Sequence, residues 1–130
     1  MPRVLRRIGT LPTMGASVLV ASVRWWICAA TADPVAMVLA QAMHAATYAA
    51  FHVAAVTHTH RLFGEEHRSS GQAVYSSATY GLGNVLGMFL SGVLYDRTTM
   101  ANLFAGASAT ALLSGFLVVA AARKEAASGL

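Results

Sequence analysis

Apolar residues fall into four long runs, at residues 11–32, 35–57, 70–94 and 101–122, separated by short polar joints. A hydrocarbon core of about 30 Å takes about 20 helical residues to cross, so each run is long enough to span a membrane. Helices are predicted rather than strands. Lipid-exposed backbone must satisfy its own hydrogen bonds, and no ten-residue segments of alternating polarity appear. The expected fold class is all-α integral membrane, with residues 1–130 forming one membrane domain of four transmembrane helices.

The joints carry recognisable stop and restart signals. At Asp33-Pro34 proline lacks an N–H and restricts the residue before it, which predicts a tight antiparallel hairpin between the first two spans. The segment from His58 to Ser69, with Arg61, Glu65, Glu66, His67 and Arg68, is expected to be a solvated loop. Tyr95-Asp96-Arg97-Thr98-Thr99 turns the chain on the opposite side.

Polar residues inside the runs are not scattered. At 100° per residue, Gln41, His44, Tyr48 and His52 fall within an arc of about 80° on the second span. Such a stripe is unsuited to lipid. Gln72, Tyr75, Ser76, Thr79 and Gly83 form a comparable stripe on the third span, and Thr13, Ser17, Arg24, Cys28 and Thr31 a weaker one on the first. Asn102, Ser108 and Ser114 form no coherent stripe, so the fourth span is expected to be a peripheral packing helix.

Arg24 and His44 stand out among these residues. An ionisable side chain inside a bilayer costs from about 3 to more than 10 kcal/mol and is usually kept for a substrate, proton or ion pathway. From a rise of about 1.5 Å per residue, Arg24 and His44 lie about 12 and 13.5 Å from the outer ends of their spans, so they are expected to meet. His52 and Tyr75 each lie about 7.5 Å from the inner ends, which predicts a second polar layer. A cation beside His44 would favour its neutral, proton-accepting form.

Each of these residues also has a plainer explanation. Arg24 could snorkel with only its stem buried, and a lone histidine can be a satisfied packing residue. Tyr48, Tyr75 and Tyr80 are the kind of residue that packs or hydrogen-bonds in a helix interface. Gly83 and Gly87 have the spacing that permits close helix approach. His58, His60 and His67 lie in a polar stretch with nothing to fix a four-ligand geometry, so neither a metal nor a cofactor is expected.

Composition strengthens the membrane reading: 56% of residues are apolar, 11% are charged, and mean hydropathy is +0.56. Seven basic residues (Arg3, Arg6, Arg7, Arg61, Arg68, Arg123 and Lys124) fall on one side of the spans, against Arg97 on the other. Both termini are therefore expected to be cytoplasmic. The net charge of +4 is then explained by topology and anionic lipid, with no call for nucleic acid. Cys28 is the sole cysteine, which excludes a disulfide framework or a CxxC site. A cleavable signal peptide is the rival explanation of the first run, but Arg24 interrupts it and the run exceeds the usual apolar length of about 7–15 residues.

Gln41-x-x-His44, Phe51-His52-Val53-Ala54-Ala55, Arg61-Leu62-Phe63, Gly71-Gln72-Ala73-Val74-Tyr75-Ser76, Tyr80-Gly81-Leu82-Gly83 and Gly92-Val93-Leu94-Tyr95-Asp96-Arg97 occur in that order. Together they resemble the C-terminal end of major facilitator superfamily transporters, nearest to the phenylpropionate-permease-like and lactose-permease-like proton symporters. The resemblance implies that the four spans are helices nine to twelve of a twelve-helix transporter, with a partial C-terminal half present. It also implies that Arg24 and His44 occupy proton-coupling positions. The carboxylate that the lactose-permease-like branch carries three residues after the histidine is Thr47 here.

On this reading the chain is not an enzyme but a transport protein for a small organic solute, such as an aromatic or other organic acid. It would sit in a bacterial inner membrane as a fragment of a symporter, whether a truncated product, a chain with a misplaced start or one half of a split transporter whose N-terminal helices are encoded separately. Arg24, His44 and His52 are the proton-coupling candidates. Gln41, Tyr48, Gln72 and Tyr75 are the solute-pathway candidates. Two other readings remain open: a four-helix interaction or assembly protein without transport activity, and a haem-binding electron carrier. The haem reading requires axial histidines on facing helices, and the third and fourth runs contain none.

Overall fold

A computed structural model describes residue 5 and residues 7–128. Arg3 and Arg6, counted above in the basic cluster, lie outside the described residues. Every regular element among the described residues is helical: α1 (Thr10–Ala30), α2 (Pro34–Phe63), α3 (Arg68–Ser76), a π-helical segment (Ser77–Gly83), α4 (Asn84–Tyr95) and α5 (Met100–Ser128). The middle three run on without a break and form one rod, residues 68–95.

The Asp33-Pro34 joint behaves as its chemistry requires. Asp33 caps α2 by accepting from the Val35 N–H at 2.9 Å, and Pro34 occupies the first turn, where its missing N–H costs nothing. Only Thr31, Ala32 and Asp33 separate α1 from α2, so the two helices return side by side. α2 does not stop at Thr57. It continues through His58 to Phe63, a stretch expected from its polarity to be loop, because no glycine or proline interrupts it. Gly64, with φ of 68°, ends the helix in a conformation that favours glycine.

α1 is the central element. It packs most extensively against α5 and next against α2, while the 68–95 rod meets α2 chiefly through residues 68–76. The α5 contact is built from small residues. Gly115 lies against Leu19 and Gly15 against Val119, Trp25 stacks on Phe104 with ring centroids 5.6 Å apart, and Ser22 and Ser108 exchange hydroxyl-to-carbonyl hydrogen bonds at 2.9 Å. Small side chains let backbones approach where dispersion and hydrogen bonding hold helices together. The fourth run, expected to be peripheral, is therefore the main packing partner of α1.

Burial is inverted relative to a water-soluble bundle. Thr10, Thr13, Ser17, Ser22, Arg24 and Ser108 are buried, whereas Val23, Trp26, Leu82, Val85, Met88, Phe89 and Phe116 are exposed. Polar groups face inward and large apolar groups outward, as suits an apolar surrounding. Thr10–Ala30 and Met100–Ala127 are each long and apolar enough to cross a membrane.

Candidate functional site

The polar stripe of α2 meets the 68–95 rod in one hydrogen-bonded aromatic layer. Tyr80 is its centre. The Tyr80 hydroxyl lies 2.8 Å from the Tyr48 hydroxyl and 2.9 Å from His52 Nδ1, so three side chains on two helices form a continuous chain. The rings are also in contact: Tyr48 stacks on His52 at 5.9 Å with 7° between planes, and His52 lies 6.2 Å from both Tyr75 and Tyr80. Tyr75 meets Tyr80 edge to face at 6.3 Å. His44 extends the series at one end, its ring 5.6 Å from Tyr48.

Tyr80 lies within the π-helical segment, Ser77–Gly83. Its wider turn brings the Ala78 carbonyl opposite Gly83, where a Cβ would lie 3.2 Å from the oxygen, so glycine suits the position. Single-turn π-bulges inside α-helices often mark functional positions. Tyr80 was named from the sequence only as a packing or hydrogen-bonding residue. The signal available there was the clustering of Gly81 and Gly83 beside it.

The remaining candidates occupy three other settings. Gln72 is half-buried, its amide donating to Ser76 Oγ at 3.4 Å while its Oε1 is buried without a partner. Gln41 is exposed on the same face of α2 as His44. Arg24 is apart from the layer: it is 2% exposed, with its guanidinium carbon 3.9 Å above the Trp25 ring and its Nε without a hydrogen-bond partner.

Among the described residues no hydrogen bond joins Arg24 to His44, and His44 is exposed. The expected meeting of these two groups is not what the structure shows. Depth along the membrane normal constrains one coordinate only, and the α2 stripe is turned toward the 68–95 rod. The buried positions of α2 are instead Ala40, Ala54 and Ala55.

Thr47 does not substitute for a carboxylate. Its hydroxyl is directed to its own helix, donating to the Met43 and His44 carbonyls at 3.0 and 3.2 Å. Two of the other histidines serve as ties: His58 Nδ1 pairs with the Thr10 hydroxyl at 3.1 Å, and His60 Nδ1 accepts from Arg68 Nε at 3.2 Å. Arg68 also meets Glu65 at 3.4 Å, an exposed contact of small energetic weight. A separate cleft of about 870 Å³ opens where α4 and α5 diverge, lined by Phe51, Leu90, Ser91, Leu103 and Thr110 among others. It shares no residue with the aromatic layer.

The family model described as MFS_1 like family matches residues 1–105, which include every candidate residue above. The chain belongs to the MFS_1 like family. No curated protein and no solved structure matches it. Membership in the MFS_1 like family relates the chain to the major facilitator superfamily and points to a transport-related function rather than catalysis. With two membrane-capable helices it also points to an integral membrane protein.

Proposed function

We propose that the chain contributes four membrane-spanning helices, with both termini cytoplasmic, to a proton-coupled transporter of a small organic solute in a bacterial inner membrane. The observation that carries this reading is the Tyr48–Tyr80–His52 layer, a hydrogen-bonded polar assembly spanning two helices in a chain of the MFS_1 like family. The third span of the proposal is the 68–95 rod, whose segment from Ser77 to Tyr95 has no buried residue. That rod calls for further apolar neighbours, either lipid or the additional helices of a longer or separately encoded transporter. The solute class is an organic acid. Arg24 supplies a fixed cation, His44 and His52 the groups that carry the coupled proton, and Gln41, Gln72 and Tyr75 hydrogen bonds along the pathway.

The test is uphill accumulation by the transporter completed with its N-terminal helices, using the organic acid it accumulates best. Replacing both histidines, as His44→Gln with His52→Gln, should reduce accumulation at least tenfold while leaving downhill exchange measurable. Accumulation with an unchanged pH profile in the double variant would mean that the histidines are structural and that the symport reading is wrong.

A further inference from the structure

The hydroxyl of Tyr80 sits between two groups that can each take or give a proton, 2.8 Å from Tyr48 Oη and 2.9 Å from His52 Nδ1. A phenol carries one hydrogen, so it can donate in only one of these two directions at a time. When His52 is neutral with its hydrogen on Nε2, Nδ1 is an acceptor: Tyr80 donates to it and accepts from Tyr48. When Nδ1 is protonated, the ring donates to Tyr80, Tyr80 donates to Tyr48, and the Tyr48 hydrogen must point elsewhere. The protonation state of His52 therefore sets the polarity of the whole chain.

We infer that Tyr48, Tyr80 and His52 form a proton relay in which Tyr80, within the π-helical segment, is the removable link between α2 and the 68–95 rod. The inference deepens the transporter reading and rests on it for its purpose. The step balances as follows. A proton arrives on Tyr48 Oη, the original Tyr48 hydroxyl proton passes to Tyr80 Oη, and the original Tyr80 proton passes to His52 Nδ1. Each phenol ends with one proton, the imidazole becomes imidazolium, and no electron changes centre. The proton is released from Nδ1 when the rod slides and takes Tyr80 away, which leaves the neutral Nε2–H tautomer from which the next cycle starts.

Exposure suits the direction of the relay. Tyr48 and Tyr80 are 48% and 40% exposed, so the tyrosine end of the chain opens away from the packed helices, whereas His52 is half-buried behind them. The titratable groups around His52 are few. On its own helix they are Tyr48 and, beyond it, His44; from the rod they are Tyr75 and Tyr80, with Arg68 directed to Glu65 and His60. The titratable groups of α1, Arg24 and Cys28, are buried and apart from the layer. No carboxylate lies within any of these elements from Thr10 to Tyr95 to hold the proton in place of His52. Because Tyr80 and His52 sit on different helices, any sliding of the rod along α2 interrupts the chain without altering either residue.

The test uses the full chain, ¹⁵N-labelled at histidine, in phosphatidylcholine and phosphatidylglycerol vesicles, observed by NMR. In neutral His52 the hydrogen should be on Nε2, with Nδ1 showing the shift of a hydrogen-bond acceptor. Tyr80→Phe should abolish that acceptor shift and slow exchange between neutral and protonated His52 at least tenfold. Tyr48→Phe should slow exchange similarly while keeping the shift. Tyr95→Phe, which removes a hydroxyl at the far end of the rod, should change neither. A neutral His52 protonated on Nδ1, or exchange unaffected by Tyr80→Phe in protein of unchanged helicity, overturns the relay. None of these readings needs a solute, so absence of transport with the relay intact counts against the transporter reading alone.

Discussion

Replacing Arg24 with methionine should make the isolated chain more stable and the assembled transporter inactive. Arg24 is 2% exposed, its Nε has no hydrogen-bond partner, and among the described residues no carboxylate compensates its charge. Placing an arginine at a helix centre in a membrane costs about 3 kcal/mol on insertion scales. Stacking over Trp25 returns about 1–2 kcal/mol. Methionine fills similar space without the charge, so Arg24→Met should raise unfolding stability in lipid–detergent mixtures by about 1–2 kcal/mol. The same substitution should abolish uphill accumulation by the transporter proposed above, because a cation kept at such cost is kept for a pathway. Destabilisation of the isolated chain by more than about 1 kcal/mol would show that Arg24 is a structural anchor.

The second large effect is expected at Gly71. A Cβ there would lie 2.6 Å from Phe63 Cγ and 3.0 Å from Phe63 Cβ, too close to be relieved by rotating the far end of a flexible side chain. Gly71→Ala should therefore push the 68–95 rod away from α2 at the end where the chain turns. Overpacking of this kind costs up to about 3 kcal/mol, and the better helix propensity of alanine recovers about 1, leaving a net loss of about 2 kcal/mol. Adding Phe63→Ala should restore part of that loss, a coupling that a double-mutant cycle reads directly. Equal loss in the presence and absence of Phe63 would locate the effect elsewhere. A displaced rod should also break the Tyr80–His52 hydrogen bond, so the ¹⁵N signature of His52 should be lost with stability.

What the sequence made legible, and what it did not, divides along physical lines. The hairpin at Asp33-Pro34 was readable because proline and an Asp cap act locally. The gathering of Tyr48, His52 and Tyr75 was readable because helical periodicity assigns each to a stripe. Tyr80 lies about 140° from Tyr75 on an ideal α-helix but about 40° beyond Ser76, at the edge of the stripe, so periodicity alone left its side unassigned. The π-helical segment from Ser77 to Gly83 alters the local turn, and no simple periodicity encodes that insertion. The pairing of Arg24 with His44 failed for a related reason. Matching depths do not fix rotation about a helix axis, and one face of α2 cannot address both α1 and the 68–95 rod. The close α1–α5 contact was obscured because its determinants, Gly15, Ser22, Ser108 and Gly115, are small and carry no pattern that distinguishes an interface from a lipid face.

The central claim is that the α2 stripe lines a water-accessible pathway across a membrane, and single-cysteine labelling in a Cys28→Ser background tests it most directly. Cysteines at Gln41, His44, Tyr48 and His52 should react with a small water-soluble thiol reagent at least tenfold faster than cysteines at Val35, Leu39 and Val53 on the apolar part of the same helix. In intact cells an impermeant reagent should also label cysteines at Asp33 and Thr98 but not at Gly64. Equal reactivity along the stripe and the apolar face, or labelling of Gly64 from outside, would contradict the account.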